Sequence, residues 1–162
     1  MKKLTLVRHG KSSWKHNVED ENRPLKKRAY KDARAVARSF KATLQMPATI
    51  WSSPAVRAFE TAKIFKEELQ IEDENFHVNS KLYTFNWEDL FKIIKSCKDE
   101  VDQLLVFGHN PAFTSLVNKL GDKEFSNVPT TGLVLIDFET NSWNDLKDGK
   151  TILNLFPKNL RK

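Results

Sequence analysis

Arginine, histidine and glycine stand together at Arg8-His9-Gly10, directly after the β-prone run Leu4-Thr5-Leu6-Val7. A permanently charged guanidinium beside an imidazole, on a rigid strand end, suits gripping a phosphate while a ring nitrogen attacks it. A second histidine recurs in the same setting. The apolar run Gln103-Leu104-Leu105-Val106-Phe107 ends in Gly108-His109-Asn110-Pro111. Between the two, Arg57 falls in the first turn of a helix opened by Ser52-Ser53-Pro54. The helix dipole favours acids there. An arginine in that place makes sense if an anion sits between it and the free backbone donors. Each feature also has a plain structural reading: an ion pair for Arg8, a satisfied core position for His9, a cap for His109. Two histidine-glycine strand ends, together with a cation set against a helix dipole, favour phosphate chemistry over those readings.

The elements that must position these groups follow from apolar spacing. Leu4 to Val7 reads as a buried strand, and Gly10 lets the chain turn at little steric cost. In open α/β sheets ligands bind at the carboxyl ends of strands. The polar segment Lys11-Ser12-Ser13-Trp14-Lys15-His16 and the acidic loop Glu19 to Glu21 are expected to rim the site. Ser12, Ser13 and Lys15 are candidate phosphate donors, with Lys15 foremost as a cation; His16 is expected to be solvated. Arg23-Pro24-Leu25 is expected to open a helix running to about Leu44, with Ala29, Ala33, Val36, Ala37 and Phe40 facing the core. Ala48 to Trp51 reads as a strand, and a helix then runs from Ala55 to about Leu69. Phe76 to Val78 reads as an edge strand, with His77 structural. Glu88 to Cys97 reads as an amphipathic helix and Ala112 to Leu120 as another, with Asn110 as its cap and Pro111 at its first position. Leu133 to Phe138 and Ile152 to Phe156 complete the strands, and the basic tail from Lys158 is expected to fray.

Composition narrows the classes. The 162 residues are 40% apolar and 30% charged, as expected of one globular domain spanning 1–162. The single cysteine, Cys97, excludes an internal disulfide and points to a reducing compartment. A cysteine phosphatase would place an arginine six residues after its cysteine in a phosphate loop; position 103 is Gln103, and Cys97 reads as a core filler. The apolar run after Met1-Lys2-Lys3 is too short for a signal peptide and no later run spans a membrane, so a cytoplasmic protein is expected. The net charge of +6 comes from dispersed lysines, read as a solvated surface. Neither a basic stripe with aromatic platforms nor a groove-reading motif points to nucleic acid. The four histidines lack metal-ligand spacing with carboxylates, and no nucleotide-binding P-loop is present.

Taken in order, Arg8-His9-Gly10, Ser53-Pro54-x-x-Arg57-x-x-x-Thr61 and Gly108-His109-Asn110-Pro111 resemble the histidine phosphatase superfamily, the phosphoglycerate-mutase-like or RHG branch. The short chain, Arg23-Pro24-Leu25 and the Gly-His-Asn-Pro form are most similar to its small phosphohistidine phosphatase subgroup. The resemblance implies a three-layer α/β/α sandwich around a mostly parallel sheet. It implies that His9 is the nucleophile and that Arg8, Arg57 and His109 form the phosphate pocket. Two arginines supply the charge, so neither metal nor cofactor is called for. The expected activity is hydrolysis through a phosphohistidine intermediate on His9, with a phosphohistidine protein as substrate and partner. The alternatives are a small-molecule phosphomonoesterase and a non-catalytic phosphate or phosphopeptide binder; a mutase would need chain for a lid. Larger relatives carry a general-acid glutamate where this chain has Leu82-Tyr83; Glu88 and Asp89 are unplaced candidates to replace it. An alcohol leaving group needs such an acid far more than imidazole, whose conjugate acid has a pKa of about 6.5. Lys15 stands where the mutase branch has asparagine, and Ala29 where a glycine is common.

Overall fold

Alternation along the apolar strands decides the layers. The structure, a computed structural model, describes residues 1–161. In β1 (Lys2–Arg8), Leu4 and Leu6 join one buried cluster and Val7 the other. In β4 (Gln103–Gly108), Leu104 and Val106 join the first, and Leu105 and Phe107 the second. A strand with both faces apolar needs cover on both sides, which only a helical layer on each face supplies.

The helices take those places. α1 (Lys27–Lys41) and α2 (Val56–Leu69) cover the second cluster, through Ala33, Val36, Ala37, Phe40, Ala62 and Phe65. α3 (Trp87–Lys95) and α4 (Ala112–Leu120) cover the first, through Leu90, Ile94, Phe113, Leu116 and Val117. Phe40, Phe65 and Phe107 are fully buried; each such side chain contributes roughly 1.5–3 kcal/mol by leaving water.

The remaining strands are β2 (Thr49–Ser52), β3 (Phe76–Val78), β5 (Leu133–Phe138) and β6 (Lys150–Leu155). The sheet order is β3-β2-β4-β1-β5-β6. β3, β2, β4 and β1 are mutually parallel, while β5 pairs antiparallel with both β1 and β6. The expected three-layer α/β/α sandwich with a mostly parallel sheet is therefore present. The strand order places β4 beside β1, although more than half of the chain separates them.

Two local expectations are corrected. Arg23-Pro24-Leu25 does not open α1, which starts at Lys27. Leu25 instead forms an antiparallel bridge with Ser12, where Ser13 N donates to Pro24 O at 2.8 Å and Lys26 N to Lys11 O at 2.8 Å. Those backbone bonds hold the segment extended, so Pro24 serves a strand-like clip rather than a helix start. The basic tail is tied down rather than frayed through Arg161. Pro157–Leu160 forms a short helix, α5, and the Arg161 guanidinium pairs with Asp32 on α1 at 2.8 Å. Lys162 lies outside the described residues.

Candidate active site

The two histidine strand ends meet because β1 and β4 are neighbours in parallel register, Arg8 opposite Gly108. Ladder bonding continues past the strands. His9 N donates to Gly108 O at 3.0 Å, Arg8 N to Gly132 O at 3.1 Å, and Ser53 N to Phe107 O at 3.0 Å. The backbone under each side chain is thereby fixed, and the rings of His9 and His109 lie 5.3 Å apart.

Gly10 is favoured for a different reason from the one expected. No glycine among the described residues has a positive φ. A Cβ on Gly10 would instead meet Ala29 Cβ and Leu25 Cδ2 at 3.0 Å each. Close packing of α1 and the Leu25 clip against the strand end leaves little room for a side chain there. The strained position is Thr131, a β-branched residue at φ 59. Its amide donates to both Arg8 O and His9 O at 3.0 Å, which binds the strain to the site.

His9 is buried, with Nδ1 2.7 Å from Gly10 O. A carbonyl only accepts, so Nδ1 carries the proton and Nε2 keeps its lone pair. Burial pushes the His9 pKa down to about 4, and the nearby Arg57 and Arg8 charges act in the same direction. His109 is 1% exposed, with Nε2 2.8 Å from Ser53 Oγ. Burial, then His9 and Arg57, push its pKa down to about 3. Both rings are neutral at pH 7. Arg57, in the first turn of α2, is 3% exposed. Its Nη1 donates to Asp20 O at 2.7 Å and its Nη2 to Asp20 Oδ2 at 3.0 Å. Arg8 Nη1 donates to Val128 O at 3.0 Å, and burial lowers the Arg8 pKa.

Four buried side-chain polar atoms lack a partner among the described residues: Arg8 Nε, Arg57 Nε, His109 Nδ1 and Thr151 Oγ1. Three of these four belong to the sequence-predicted site. Buried donors are almost always paired, and an oxyanion shared by Arg8, Arg57 and His109 would pair them.

Several contributors escaped the sequence reading. Arg23 is buried, donates to Ser12 Oγ, to Ser13 O at 3.3 Å and to Asp20 Oδ1 at 3.1 Å, and carries the Trp14 ring 3.2 Å from its guanidinium carbon. Asp20, from the expected acidic rim, joins Arg57, Arg23 and the Tyr83 hydroxyl through one carboxylate. The Tyr83 hydroxyl, with the two arginines, holds the Asp20 pKa down at about 2, while burial, then Asp20, pushes the Tyr83 pKa up. Tyr83 and the half-exposed Phe85 stand over His109, ring centroids 5.2 and 5.5 Å away. The spacing of Asp20 three residues before Arg23 was a legible signal; the contact with Tyr83 was not.

The remaining candidates fall outside this cluster. Ser12 and Ser13 are buried beneath the rim and tied to Arg23 and Lys15 N. Lys15 itself is exposed, with no ion pair among the described residues. Glu88 and Asp89 are exposed in the first turn of α3, where their amides donate to the Asn86 cap. Asn110 Oδ1 accepts from Thr114 N at 3.0 Å, so it caps α4 from one residue before Pro111. Cys97 is buried, and burial pushes its thiol up to about 12. Among the described residues no group of three or more His, Cys, Asp or Glu is placed to hold a metal, and no helix is long and apolar enough to cross a membrane.

Two neutral imidazoles at neighbouring strand ends, with the Arg8 and Arg57 charges acting on both, fit the class of protein that this chain is, a phosphatase, a hydrolase of phosphorylated compounds. The chain belongs to the histidine phosphatase superfamily, branch 1, whose family model matches residues 4–95. That match includes Arg8, His9 and Arg57; His109 lies beyond it and is placed by the β1–β4 register. An uncharacterized chloroplastic protein of Arabidopsis thaliana is 28% identical over 153 residues, covering 89% of this chain and 70% of the relative. The solved structure of the protein histidine phosphatase SixA complexed with tungstate superimposes with a TM-score of 0.82 at 20% identity, over 98% of this chain and 99% of that one. A mycobacterial glucosyl-3-phosphoglycerate phosphatase superimposes with a TM-score of 0.66 at 13% identity, over 94% of this chain and 98% of that one. At these identities both likenesses establish the fold.

Proposed function

We propose that this chain is a protein phosphohistidine phosphatase working through a phosphohistidine intermediate on His9. The observation that supports the reading is that Arg8, Arg57 and His109 each keep an unpaired buried donor, while the Arg8 and Arg57 charges act on His9, whose ring lies 5.3 Å from that of His109 and keeps a free nitrogen. The phosphoryl oxygens take those donors, and Arg8 and Arg57 balance their charge. His109 is neutral, so it has one N–H to give. A Ser53 hydroxyl donating to Nε2 leaves that proton on Nδ1, the unpaired atom.

His9 Nε2 attacks phosphorus in line, forming an N–P bond as the bond to the leaving imidazole breaks. The departing imidazole takes a proton from solvent. Water then attacks phospho-His9, and inorganic phosphate leaves as the lone pair returns to Nε2. Asp20 fixes the Arg57 and Arg23 guanidinium groups and the Tyr83 hydroxyl. It is a positioning residue, because a carboxyl held at about 2 is ionised at pH 7 and has no proton to give. Glu88 and Asp89, in α3's first turn, make no hydrogen bond to the site's side chains. A site without an acid suits a phosphoramidate better than a phosphate monoester. The SixA structure, described as a protein histidine phosphatase, is in keeping with that choice.

The test is to incubate the chain with radiolabelled phosphoramidate and with a phosphohistidine peptide. Acid-labile label appears on the protein and is absent in His9→Ala, which turns over at least about 10³-fold slower. Faster turnover of a sugar phosphate than of the phosphohistidine peptide overturns the substrate class. Tight binding without label or turnover makes the chain a binder.

A further inference from the structure

The +6 net charge is not spread evenly over the surface. Two adjoining cavities, of about 460 and 700 Å³, share Arg28, Asp32, Pro157 and Arg161 and run along the junction of α1 and α5. Their rims carry six cations, Lys11, Lys27, Arg28, Lys31, Lys158 and Arg161, against one carboxylate, Asp32. Asp32 already pairs with Arg161. Lys11, Lys27, Arg28, Lys31 and Lys158 have no carboxylate within ion-pair distance among the described residues. Crowding like charges is unfavourable, and Lys27 and Arg28 also sit at the amino end of α1, with no acid in its first turn. Stability alone would disperse these groups or interleave acids among them.

The cleft is joined to the catalytic strand ends through the chain. Lys11 follows Gly10, and Pro129 and Thr130 precede Thr131, whose amide holds the Arg8 and His9 carbonyls. The segments that flank His9 and its supporting Thr131 thus continue directly into this cationic face. We infer that the α1–α5 cleft is the docking surface for the acidic face of the protein that carries the phosphoryl group. The inference rests on the proposed protein substrate. An elongated cleft outside the pocket does nothing for a small phosphate ester, which the pocket alone can hold. It has long-range attraction to offer a macromolecule whose acidic side chains flank the phosphorylated residue. Nucleic acid fits less well, because the one aromatic ring lining the cleft among the described residues, Phe156, is half-buried and packs edge-on against Phe125, which leaves no pair of open rings to stack bases.

The experiment uses two synthetic phosphohistidine peptides of equal length, one flanked by glutamates and one by lysines, with phosphoramidate as the small substrate. For the wild-type chain, KM for the acidic peptide is about tenfold below that for the basic one and rises steeply with salt. Arg28→Glu combined with Lys158→Glu removes the difference through KM, with kcat on both peptides and phosphoramidate turnover unchanged. Both positions are exposed, so the fold survives the charge reversal, and phosphoramidate turnover verifies it. Equal KM values in the wild type, or a difference that survives the double variant, overturn the inference while phosphatase activity stands. Loss of turnover of phosphoramidate and both peptides by the wild type would instead remove the underlying activity. A duplex oligonucleotide that binds the wild type and not the variant, with the peptides indistinguishable, assigns the cleft to nucleic acid and likewise overturns it.

Discussion

Strand β1 carries a cation at each end, Lys2 buried and Arg8 half-buried with a buried Nε, and the two are treated in opposite ways. Lys2, 2% exposed, donates to Asp99 O, to Val101 O at 3.1 Å and to Asp102 Oδ1 at 2.9 Å. All three of its hydrogens have acceptors, and the Trp143 ring lies 5.9 Å away. Arg8, at the other end, keeps an unpaired Nε, as does Arg57, and His109 keeps an unpaired Nδ1. A fully paired charge is a structural tie. A partly paired one leaves buried donors open at a cost in folding stability, as the proposed phosphate site requires. Size does not make the distinction. A cavity of about 1020 Å³ lies near the Lys2 end, lined by Met1, Asp137, Asp145 and Lys150, yet none of its lining residues has an unpaired buried polar atom.

Substitutions at the two ends test the comparison. Arg57→Ala lowers kcat/KM for a phosphohistidine peptide about 10²–10³-fold, by removing donors to the phosphoryl oxygens. Its unfolding free energy falls by only about 1–3 kcal/mol, because one backbone carbonyl, Asp20 O, loses its donor while the Asp20 side chain it releases is substantially exposed. A large stability loss with activity retained would make Arg57 a tie like Lys2 and break the contrast.

Acid sharpens it next. The unfolded chain titrates its histidines near pH 6.5, whereas His9 and His109 stay neutral in the fold down to about 4 and about 3. Below pH 6.5 the unfolded state therefore gains protons that the folded state refuses. From pH 7 to pH 5 the stability contribution of each histidine falls by about 2 kcal/mol, and the loss continues until the folded pKa is reached. Denaturant unfolding at the two pH values measures this, and His109→Gln removes its share. The Lys2 end has no histidine and does not enter the pH response in this range.

The smallest effect is at that end. Lys2→Met leaves two backbone carbonyls without their donor and costs about 1–3 kcal/mol in unfolding free energy. Turnover stays at the wild-type level. A fall in kcat would mean the two ends of β1 communicate.

Much of this was legible from the chain itself. His9 and His109 announce themselves because apolar runs stop at histidine and glycine, and a parallel sheet aligns its strand ends. Arg57 announces itself by standing against a helix dipole. Arg23 was hidden because Arg-Pro-Leu also matches a helix start; the Leu25–Ser12 bridge decides otherwise through backbone bonds that local propensity does not register. Asp20 and Tyr83 were hidden because their contact spans a 63-residue separation and has no periodicity. Gly10 was read as a turn, while the structure uses it for contact with Ala29.

The sequence by itself determined the element types, the two-faced apolar strands and the residues able to handle phosphate, because those follow from side-chain chemistry and local spacing. Tertiary structure alone decided which polar groups are paired and which are left open, and where the scattered lysines and arginines gather. Those properties depend on distances between segments remote in sequence, and only the packed sheet and its helices set them.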